Sequence, residues 1–307
     1  MRGKLFEKGK FRRTLRGTGQ LDLRARASKK HEGEILTVAK SPVVMVAATT
    51  PIYDAIQKMA KEGFRRLPIA NPGTKHLEGI VTATDIVDYL GGGRKFEIIQ
   101  QKCGGNFFKA LNEPIKLIMT QKVVSIKTSA KISEAIAKMK QSNLGGLPVV
   151  DEKDCVKAIV TERDIAVLFA DRTSGVTVAQ LMSEKVITAL PKTTIFEAEK
   201  TMATQGFRRL PIVSDGKVMG IVTAMDIIRF FGCGDVFKHL KSETIIQVLN
   251  TPALEIASKN VLTVEPETDV GQAAKIMREK DIGALPVVKN GALVGILTER
   301  DFFKIIE

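Results

Sequence analysis

Residues 67–85 read LPIANPGTKHLEGIVTATD, and the pattern of this stretch indicates the repeating unit of the fold. An apolar segment around Pro68 is followed by a second apolar segment that ends in Thr-x-x-Asp at Asp85. Two short apolar runs separated by turn residues predict a pair of strands. Proline fits at the start or edge of a strand because it cannot donate to the sheet. The Thr-x-x-Asp pattern is typical of a helix start, so a helix is expected to follow the second strand.

The same pair of segments occurs four times in the chain of 307 residues. Nine residues before each proline stands a Met that ends an apolar i, i+3, i+4, i+7 pattern, which predicts an amphipathic helix. In the third copy a glutamate, Glu199, interrupts that pattern. A further apolar segment precedes each such helix, so each repeat is predicted as β-α-β-β-α. The prolines are Pro68, Pro148, Pro211 and Pro286, and the matching aspartates are Asp85, Asp164, Asp226 and Asp301.

Composition excludes several classes of protein. A hydrophobic content of 44% excludes a wholly disordered chain. No apolar run approaches the length of a membrane span, and three separated cysteines support neither a disulfide framework nor a zinc site. Eleven Lys and Arg against three acids lie in residues 1–32 and supply most of the net charge of +13. We interpret this arm as a solvated basic tail or as a contact for nucleic acid, and the chain as cytoplasmic.

The order of these features resembles the CBS domain over about residues 35–307. Leu-Pro-aliphatic followed by Gly/Ala-Ile-Val/Leu-Thr-x-x-Asp carries the resemblance. It implies an α+β fold in which four β-α-β-β-α CBS units pair into two Bateman modules. The expected organisation is a basic arm at 1–34, module 1 at 35–171 with units at about 35–92 and 115–171, and module 2 at 175–307 with units at about 176–233 and 253–307. Residues 88–117 and 229–252 are expected to form helices that bridge units.

The Thr-x-x-Asp pattern has two interpretations. As a capping box, its side chains satisfy the amide groups at a helix N-terminus. The resemblance implies instead that the Asp accepts hydrogen bonds from ribose hydroxyls, while the Thr and nearby amides face a phosphate at the helix N-terminus.

Arginine residues alternate between the units. Units 1 and 3 place Phe-Arg-Arg before Leu-Pro, whereas units 2 and 4 place Gly-Gly or Gly-Ala there and carry an arginine beside the Asp. This alternation is either inherited from a duplicated module or marks phosphate-binding positions. The resemblance implies that each cleft combines the Thr-x-x-Asp of one unit with the early helix and Leu-Pro strand of its partner.

Two phosphate-competent sites follow, together with two weaker ones without charge. The segment Thr49–Ala55 resembles the nucleotide-binding stretch of the γ regulatory subunit of AMP-activated protein kinase. The module 1 site comprises Thr50, Ala55, Phe64, Arg65, Arg66, Thr161, Arg163 and Asp164. The module 2 site comprises Thr193, Ala198, Phe207, Arg208, Arg209, Thr298, Arg300 and Asp301. The weaker sites comprise Thr82, Asp85, Thr223, Asp226, Thr268 and Ala273.

The sequence carries no Walker loop, GxGxxG, GxSxG or histidine-based metal motif, so we expect a protein that is not an enzyme and has no catalytic residue, metal site or required cofactor. The resemblance implies a regulatory sensor that binds AMP, ADP or ATP, with S-adenosylmethionine as a further ligand, and acts on an effector protein. The alternatives are a nucleic-acid-associated regulator that uses residues 1–32 and a ligand-free interaction scaffold. A homodimer and a monomer are both compatible with four units.

Overall fold

The structure, a computed structural model, describes residues 34–91, 93–239 and 246–306, without the side chains of residues 238–239 and 246–247. The basic arm expected at 1–34 lies outside these residues except for Glu34. Four repeated units follow one another, numbered here in chain order. None of the described helices is long and apolar enough to cross a membrane.

Units 1 and 2 contain nearly all the elements expected from the repeat. Unit 1 consists of α1 (Ile52–Glu62), β1 (Arg66–Ala70), β2 (Leu77–Thr82) and α2 (Ala83–Leu90), after a 3-10 turn (Glu34–Thr37). Helices α3 (Phe96–Cys103) and α4 (Phe107–Asn112) and a 3-10 turn (Ile115–Leu117) lead to unit 2. Unit 2 consists of β3 (Ile126–Lys127), α5 (Ile132–Gln141), β4 (Gly146–Val150), β5 (Val156–Thr161), α6 (Glu162–Ala166) and a 3-10 turn (Val167–Phe169).

Units 3 and 4 repeat this order. Unit 3 consists of α7 (Val178–Leu181), α8 (Ile195–Gln205), β6 (Arg209–Ser214), β7 (Lys217–Thr223) and α9 (Ala224–Gly232). Helices α10 (Asp235–His239) and α11 (Ile246–Leu249) lead to unit 4, which consists of α12 (Ala253–Ile256), α13 (Val270–Glu279), β8 (Ala284–Lys289), β9 (Ala292–Thr298) and a 3-10 helix (Glu299–Ile305). The bridging helices expected between paired units are therefore confirmed.

Each unit has an antiparallel strand pair in the same register. Pro68 lies opposite Ile80, and the prolines of the other three units pair with the equivalent isoleucines. The expected first strand is a named strand only in unit 2, where β3 runs parallel to β4. In the other three units the corresponding segment pairs with the hairpin at a single residue, as a parallel bridge such as that between Val46 and Ile69.

Backbone hydrogen bonds pair the units into two modules. In module 1, Lys40 bonds to Ile159 of unit 2 in both directions, and Ile80 bonds likewise to Thr120. Module 2 repeats these bridges between units 3 and 4, at Ser183 with Ile296 and at Ser258 with Ile221. In each module, the segment that leads into one unit therefore pairs with the hairpin of the other unit.

The large hydrophobic cores run between the modules rather than within them. One cluster joins the helices of units 1 and 3, and a second joins those of units 2 and 4. Helix α1 packs against α9 so closely that a Cβ at Gly232 would lie 2.6 Å from the Cβ of Ala60 and 3.0 Å from the carbonyl oxygen of Ile56. A side chain at this glycine would force the two modules apart.

One carboxyl group is buried in the core between modules. Glu199 on α8 is completely buried, and neither of its carboxylate oxygens has a hydrogen-bond partner. A Cβ built on Gly91, at the end of α2, would lie 2.3 Å from its Oε2. Burial raises the pKa of Glu199 well above 4.5. In the equivalent position of unit 1 the same kind of helix carries Ile56, so Glu199 adds a polar group where its counterpart adds an apolar one.

Replacing Glu199 by Met should stabilise the protein, because an unpaired buried polar group costs about 1–3 kcal/mol. The gain should increase with pH. The unfolded chain loses this proton near pH 4.5 while the folded chain keeps it, so wild-type stability falls as pH rises from that value towards the raised pKa.

Urea unfolding at pH 5 and pH 7.5 measures both effects, with the exposed Glu152→Gln as the control. Equal stability of wild type and Glu199→Met at both pH values would contradict this assignment.

Candidate functional site

The first candidate cleft opens between units 1 and 2, where a cavity of about 150 Å³ lies at the end of β5. Five residues expected at the module 1 site line it. Phe64, Arg65 and Arg66 come from the turn and start of β1, and Thr161 and Arg163 from the junction of β5 with α6. The fold thus brings the arginines of one unit beside the Thr-x-x-Asp of its partner.

Asp164 uses one carboxylate oxygen to cap a helix. Its Oδ2 accepts hydrogen bonds from the backbone nitrogen of Thr161 at 2.8 Å and from the Oγ1 of Thr161 at 2.6 Å. Oδ1 lies outside this cap, 3.7 Å from the Nζ of Lys40, a 68% exposed side chain that also lines the cavity. The structure therefore confirms the capping box and leaves a second oxygen that can accept from a ligand.

Three residues expected at the module 1 site do not line this cavity: Asp164, whose capping partner Thr161 does, and two residues from the start of unit 1. The backbone carbonyl of Thr50 accepts a hydrogen bond from Ile115 at 2.8 Å, and Ala55 is completely buried in the core beneath α1. The segment before α1 holds the chain that enters unit 2. Its sequence carries no signal for that contact, because the partner backbone lies more than 60 residues further along.

A larger cavity of about 1260 Å³ contains the module 2 site. Six of the residues expected there line it, namely Phe207, Arg208, Arg209, Thr298, Arg300 and Asp301. Thr193 and Ala198 do not. The Oγ1 of Thr193 accepts a hydrogen bond from the backbone of Leu190 at 2.9 Å, and Ala198 is completely buried.

The larger cavity extends across the boundary between modules. It is lined by Thr82 and Asp85, which belong to one of the weaker sites, and by Arg65 and Arg66 of module 1. The residues of the other weaker site, Thr223, Asp226, Thr268 and Ala273, line neither cavity. Burial raises the pKa of Asp226.

Two buried glutamates, Glu162 and Glu299, hold the arginines of the opposite module. Oε2 of Glu299 in unit 4 accepts from Arg65 of unit 1 at 2.7 Å. Oε2 of Glu162 in unit 2 accepts from Arg208 of unit 3 at 2.6 Å. Sequence reasoning missed both glutamates. Their signal was available, since they precede the arginine beside the Asp in units 2 and 4, where units 1 and 3 carry alanine.

The arginines beside the aspartates join the same network. The Nε of Arg163 donates to Oε1 of Glu299 at 2.6 Å, and its Nη1 to Asp281. The Nε of Arg300 donates to Oε1 of Glu162 at 2.5 Å. Arg163 lines the module 1 cavity and also bonds to Glu299 and Asp281 of unit 4. A ligand in this cavity would therefore contact a side chain that connects the two modules.

The glycines of units 2 and 4 make room for these arginines. A Cβ on Gly145 would lie 2.5 Å from the Nη1 of Arg208, and one on Gly146 would lie 2.3 Å from the Nη1 of Arg66. Gly283 lies in the same way beneath Arg65. The glycines were expected to leave the two weaker clefts without charge. The Asp85 cleft instead carries positive charge, because Arg66 and Arg208 lie above Gly145 and Gly146 and line the same cavity as Asp85.

Positive charge exceeds negative charge in this network, which comprises Arg65, Arg66, Arg163, Arg208, Arg209 and Arg300 against Glu162, Glu299 and the exposed Asp281. Burial and the neighbouring Arg208 lower the pKa of Arg66 to about 10 and that of Arg209 to about 9. Arg66 forms no salt bridge with any residue that the structure describes. Such an arrangement favours an anion.

Comparison with known proteins identifies the repeat. The CBS domain family matches residues 33–92, 115–171, 178–232 and 253–307. This chain is a CBS-domain protein. No group of three or more His, Cys, Asp or Glu in the described part of this CBS-domain protein is arranged to hold a metal ion.

Two archaeal relatives match most of the chain. Protein MJ1225 of Methanocaldococcus jannaschii is 37% identical over 85% of this chain and 94% of the relative. Its crystal structure, described in terms of homology to g-AMPK, covers 88% of this chain and 99% of that chain with a TM-score of 0.83 at 35% identity. A 33.4 kDa protein of Thermofilum pendens, from a ribosomal RNA operon, is 34% identical over 85% of this chain and 86% of the relative.

Removing the charge of Glu299 should destabilise this CBS-domain protein. Burial acts to raise the pKa of Glu299, but Arg65, Arg163 and Arg209 outweigh it and lower the pKa to about 2. The resulting stability is present above pH 4.5 and is lost as pH falls towards 2. At pH 7, Glu299→Gln should cost about 3 kcal/mol.

Unfolding free energies measured at pH 7 and pH 3 test this expectation, with the exposed Glu78→Gln as the control. Wild-type stability in Glu299→Gln at pH 7 would refute the role given to the ion pairs.

Proposed function

We propose that this protein is a regulatory sensor that binds adenine nucleotides in the cleft between units 1 and 2, with a related site in module 2. The observation that carries the proposal is the polarity of the cleft. Arg65 and Arg66 line it with positive charge, and beside it Asp164 keeps an uncapped oxygen next to Lys40 and Thr161, which also line the cavity. A nucleotide has the matching polarity, with an anionic phosphate and a ribose whose hydroxyls donate hydrogen bonds.

The chemistry of the arginines favours a phosphate as the bound anion. Guanidinium groups offer paired donors that match phosphate oxygens, and charge-assisted bonds of this kind are about twice as strong as neutral ones. Arg66 is the strongest candidate because none of the described carboxylates forms a salt bridge with it, although Glu162 and Glu299 line the same cavity. Arg65 and Arg163 would have to share their donors between the phosphate and Glu299.

Adenine is the proposed base because of the family relationship. CBS-domain proteins are regulatory, and MJ1225, which matches this chain over most of its length, is described in relation to g-AMPK. The resemblance of Thr49–Ala55 to the nucleotide-binding stretch of that γ subunit points the same way. AMP, ADP and ATP are the proposed ligands, with S-adenosylmethionine as a ligand for a cleft that lacks free arginine.

Regulation would pass through the shared arginines. A phosphate that draws Arg65 or Arg163 away from Glu299 weakens a contact between modules 1 and 2. A ligand that binds one module arrangement better than another shifts the population towards it. We propose that an effector protein responds to that arrangement.

The test is calorimetric titration of the full chain with AMP and with adenosine. Arg66→Met should weaken AMP at least tenfold, which corresponds to about 1.4 kcal/mol, because it removes a phosphate contact. It should leave adenosine binding unchanged, since adenosine carries no phosphate. Stability should not fall, because burial and Arg208 act against the charge of Arg66 more than Glu162 and Glu299 favour it, which lowers its pKa to about 10.

The exposed Arg94→Met, which lies outside both cavities, is the matched control and should bind AMP as wild type does. Unchanged AMP affinity in Arg66→Met would overturn the assignment of the phosphate end. Failure of AMP, ADP, ATP and S-adenosylmethionine to bind at all would favour a ligand-free scaffold.

A further inference from the structure

The four aspartates of the Thr-x-x-Asp motifs share one geometry. In each, Oδ2 accepts from the backbone nitrogen of the threonine at 2.8 Å and from its Oγ1 at 2.6–2.7 Å. Oδ1 is therefore the oxygen that lies outside the helix cap in every unit. What occupies Oδ1 differs from cleft to cleft, and this difference bears on which clefts can take a ribose.

Two of these oxygens are held by a lysine that also bonds to the partner unit. The Nζ of Lys95 donates to Oδ1 of Asp85 and, at 2.6 Å, to the carbonyl oxygen of Ile118. The Nζ of Lys304 lies 2.7 Å from Oδ1 of Asp301 and donates at 2.5 Å to the carbonyl oxygen of Leu181. Each ammonium thus bridges the aspartate of one unit to the backbone of its partner.

The two bridges are equivalent although the lysines are not. Ile118 and Leu181 each lie two residues before the position that pairs with the second strand of the Asp-bearing unit, at Thr120 and Ser183. Lys95, however, comes from the segment between units 1 and 2, whereas Lys304 lies one turn beyond its aspartate. The two lysines therefore come from different parts of the sequence. Each nevertheless places its ammonium group between an aspartate Oδ1 and the equivalent backbone carbonyl of the partner unit.

The other two aspartates lack this bridge. Lys40 stands 3.7 Å from Oδ1 of Asp164, and Arg229 stands 3.5 Å from Oδ1 of Asp226. Both cations are more than half exposed, and neither donates to a backbone carbonyl among the described contacts. Of these two aspartates, Asp164 lies beside the arginine-lined cavity of module 1, because its contacts Thr161 and Lys40 both line that cavity.

We propose that Lys95 and Lys304 are latches that occupy the aspartate oxygen a ribose would use. The proposal rests on the function proposed above and adds an order of filling to it. A ribose-containing ligand binds the Asp164 cleft first and enters the Asp301 cleft only when Lys304 has been displaced. The cost of opening the latch lowers the apparent affinity by the fraction of molecules in which it is open.

The test is calorimetric titration of the full chain with AMP and, separately, with adenosine. Wild type should show one strong site per chain. Lys304→Met should gain a second site, at least about tenfold tighter than in wild type. Because the latch acts on the ribose, adenosine should gain as much as AMP, in contrast to Arg66→Met, which should affect AMP alone.

Lys289→Met is the matched control, since it removes a lysine of unit 4 that pairs with the exposed Glu267. It should match wild type. The melting temperature of each variant checks that it is folded. If Lys304→Met destabilises the chain, Lys95→Met provides the second test, with the gain then expected at the Asp85 cleft.

Weaker AMP or adenosine binding in Lys304→Met would mean that the lysine contacts the ligand. Unchanged binding would mean that Lys304 does not block the Asp301 cleft. Either result overturns the latch while leaving nucleotide binding by wild type intact. If wild type and both lysine variants bind no adenine compound, the proposed function itself fails, and the latch fails with it.

Discussion

Two glutamates buried between the modules, Glu162 and Glu299, hold the arginine-rich centre of this protein together. Each accepts from two arginines, one from the turn before a strand and one from beside an aspartate. Removing one partner of a buried ion pair leaves a charge without compensation, which is far costlier than the pair itself is stabilising. The centre therefore depends on both modules being in place.

That constraint determines the residues around it. The guanidinium groups fit only because Gly145, Gly146 and Gly283 have no side chain. Burial and the neighbouring Arg208 lower the pKa values of Arg66 and Arg209, and the two glutamates do not offset this. An anion that enters the cleft relieves this excess charge, so the same residues connect the arrangement of the modules with the proposed binding of a phosphate.

Much of this architecture could be predicted from periodicity. Apolar positions such as Ile52 and Met59 gave α1, and the spacing from Met59 to Pro68 gave the position of the hairpin. The Thr-x-x-Asp pattern predicted both a helix cap and a candidate site. Both interpretations are compatible, because one carboxylate oxygen of the aspartate caps the helix and the other lies outside the cap. The alternation of arginine and glycine pointed to the arginines that line the clefts. Its physical reason is steric as well as electrostatic, because the glycines leave room for the guanidinium groups.

The remainder depends on contacts between distant parts of the chain. Nothing in the local sequence indicates that Arg65 pairs with a glutamate 234 residues away, or that Lys95 reaches Asp85. Thr50 and Ala55 match a binding motif by position, yet their surroundings are set by the entry of unit 2 and by core packing. Local patterns describe a unit well, whereas its partners are fixed only when four units meet.

A crystal structure of the full chain grown with AMP would show whether the arginines hold the phosphate. We expect a phosphate within hydrogen-bond distance of the guanidinium groups of Arg65 and Arg66, and a ribose on Oδ1 of Asp164. A nucleotide whose phosphate lies away from these arginines, or one that fills the Asp226 cleft while the Asp164 cleft stays empty, would contradict it.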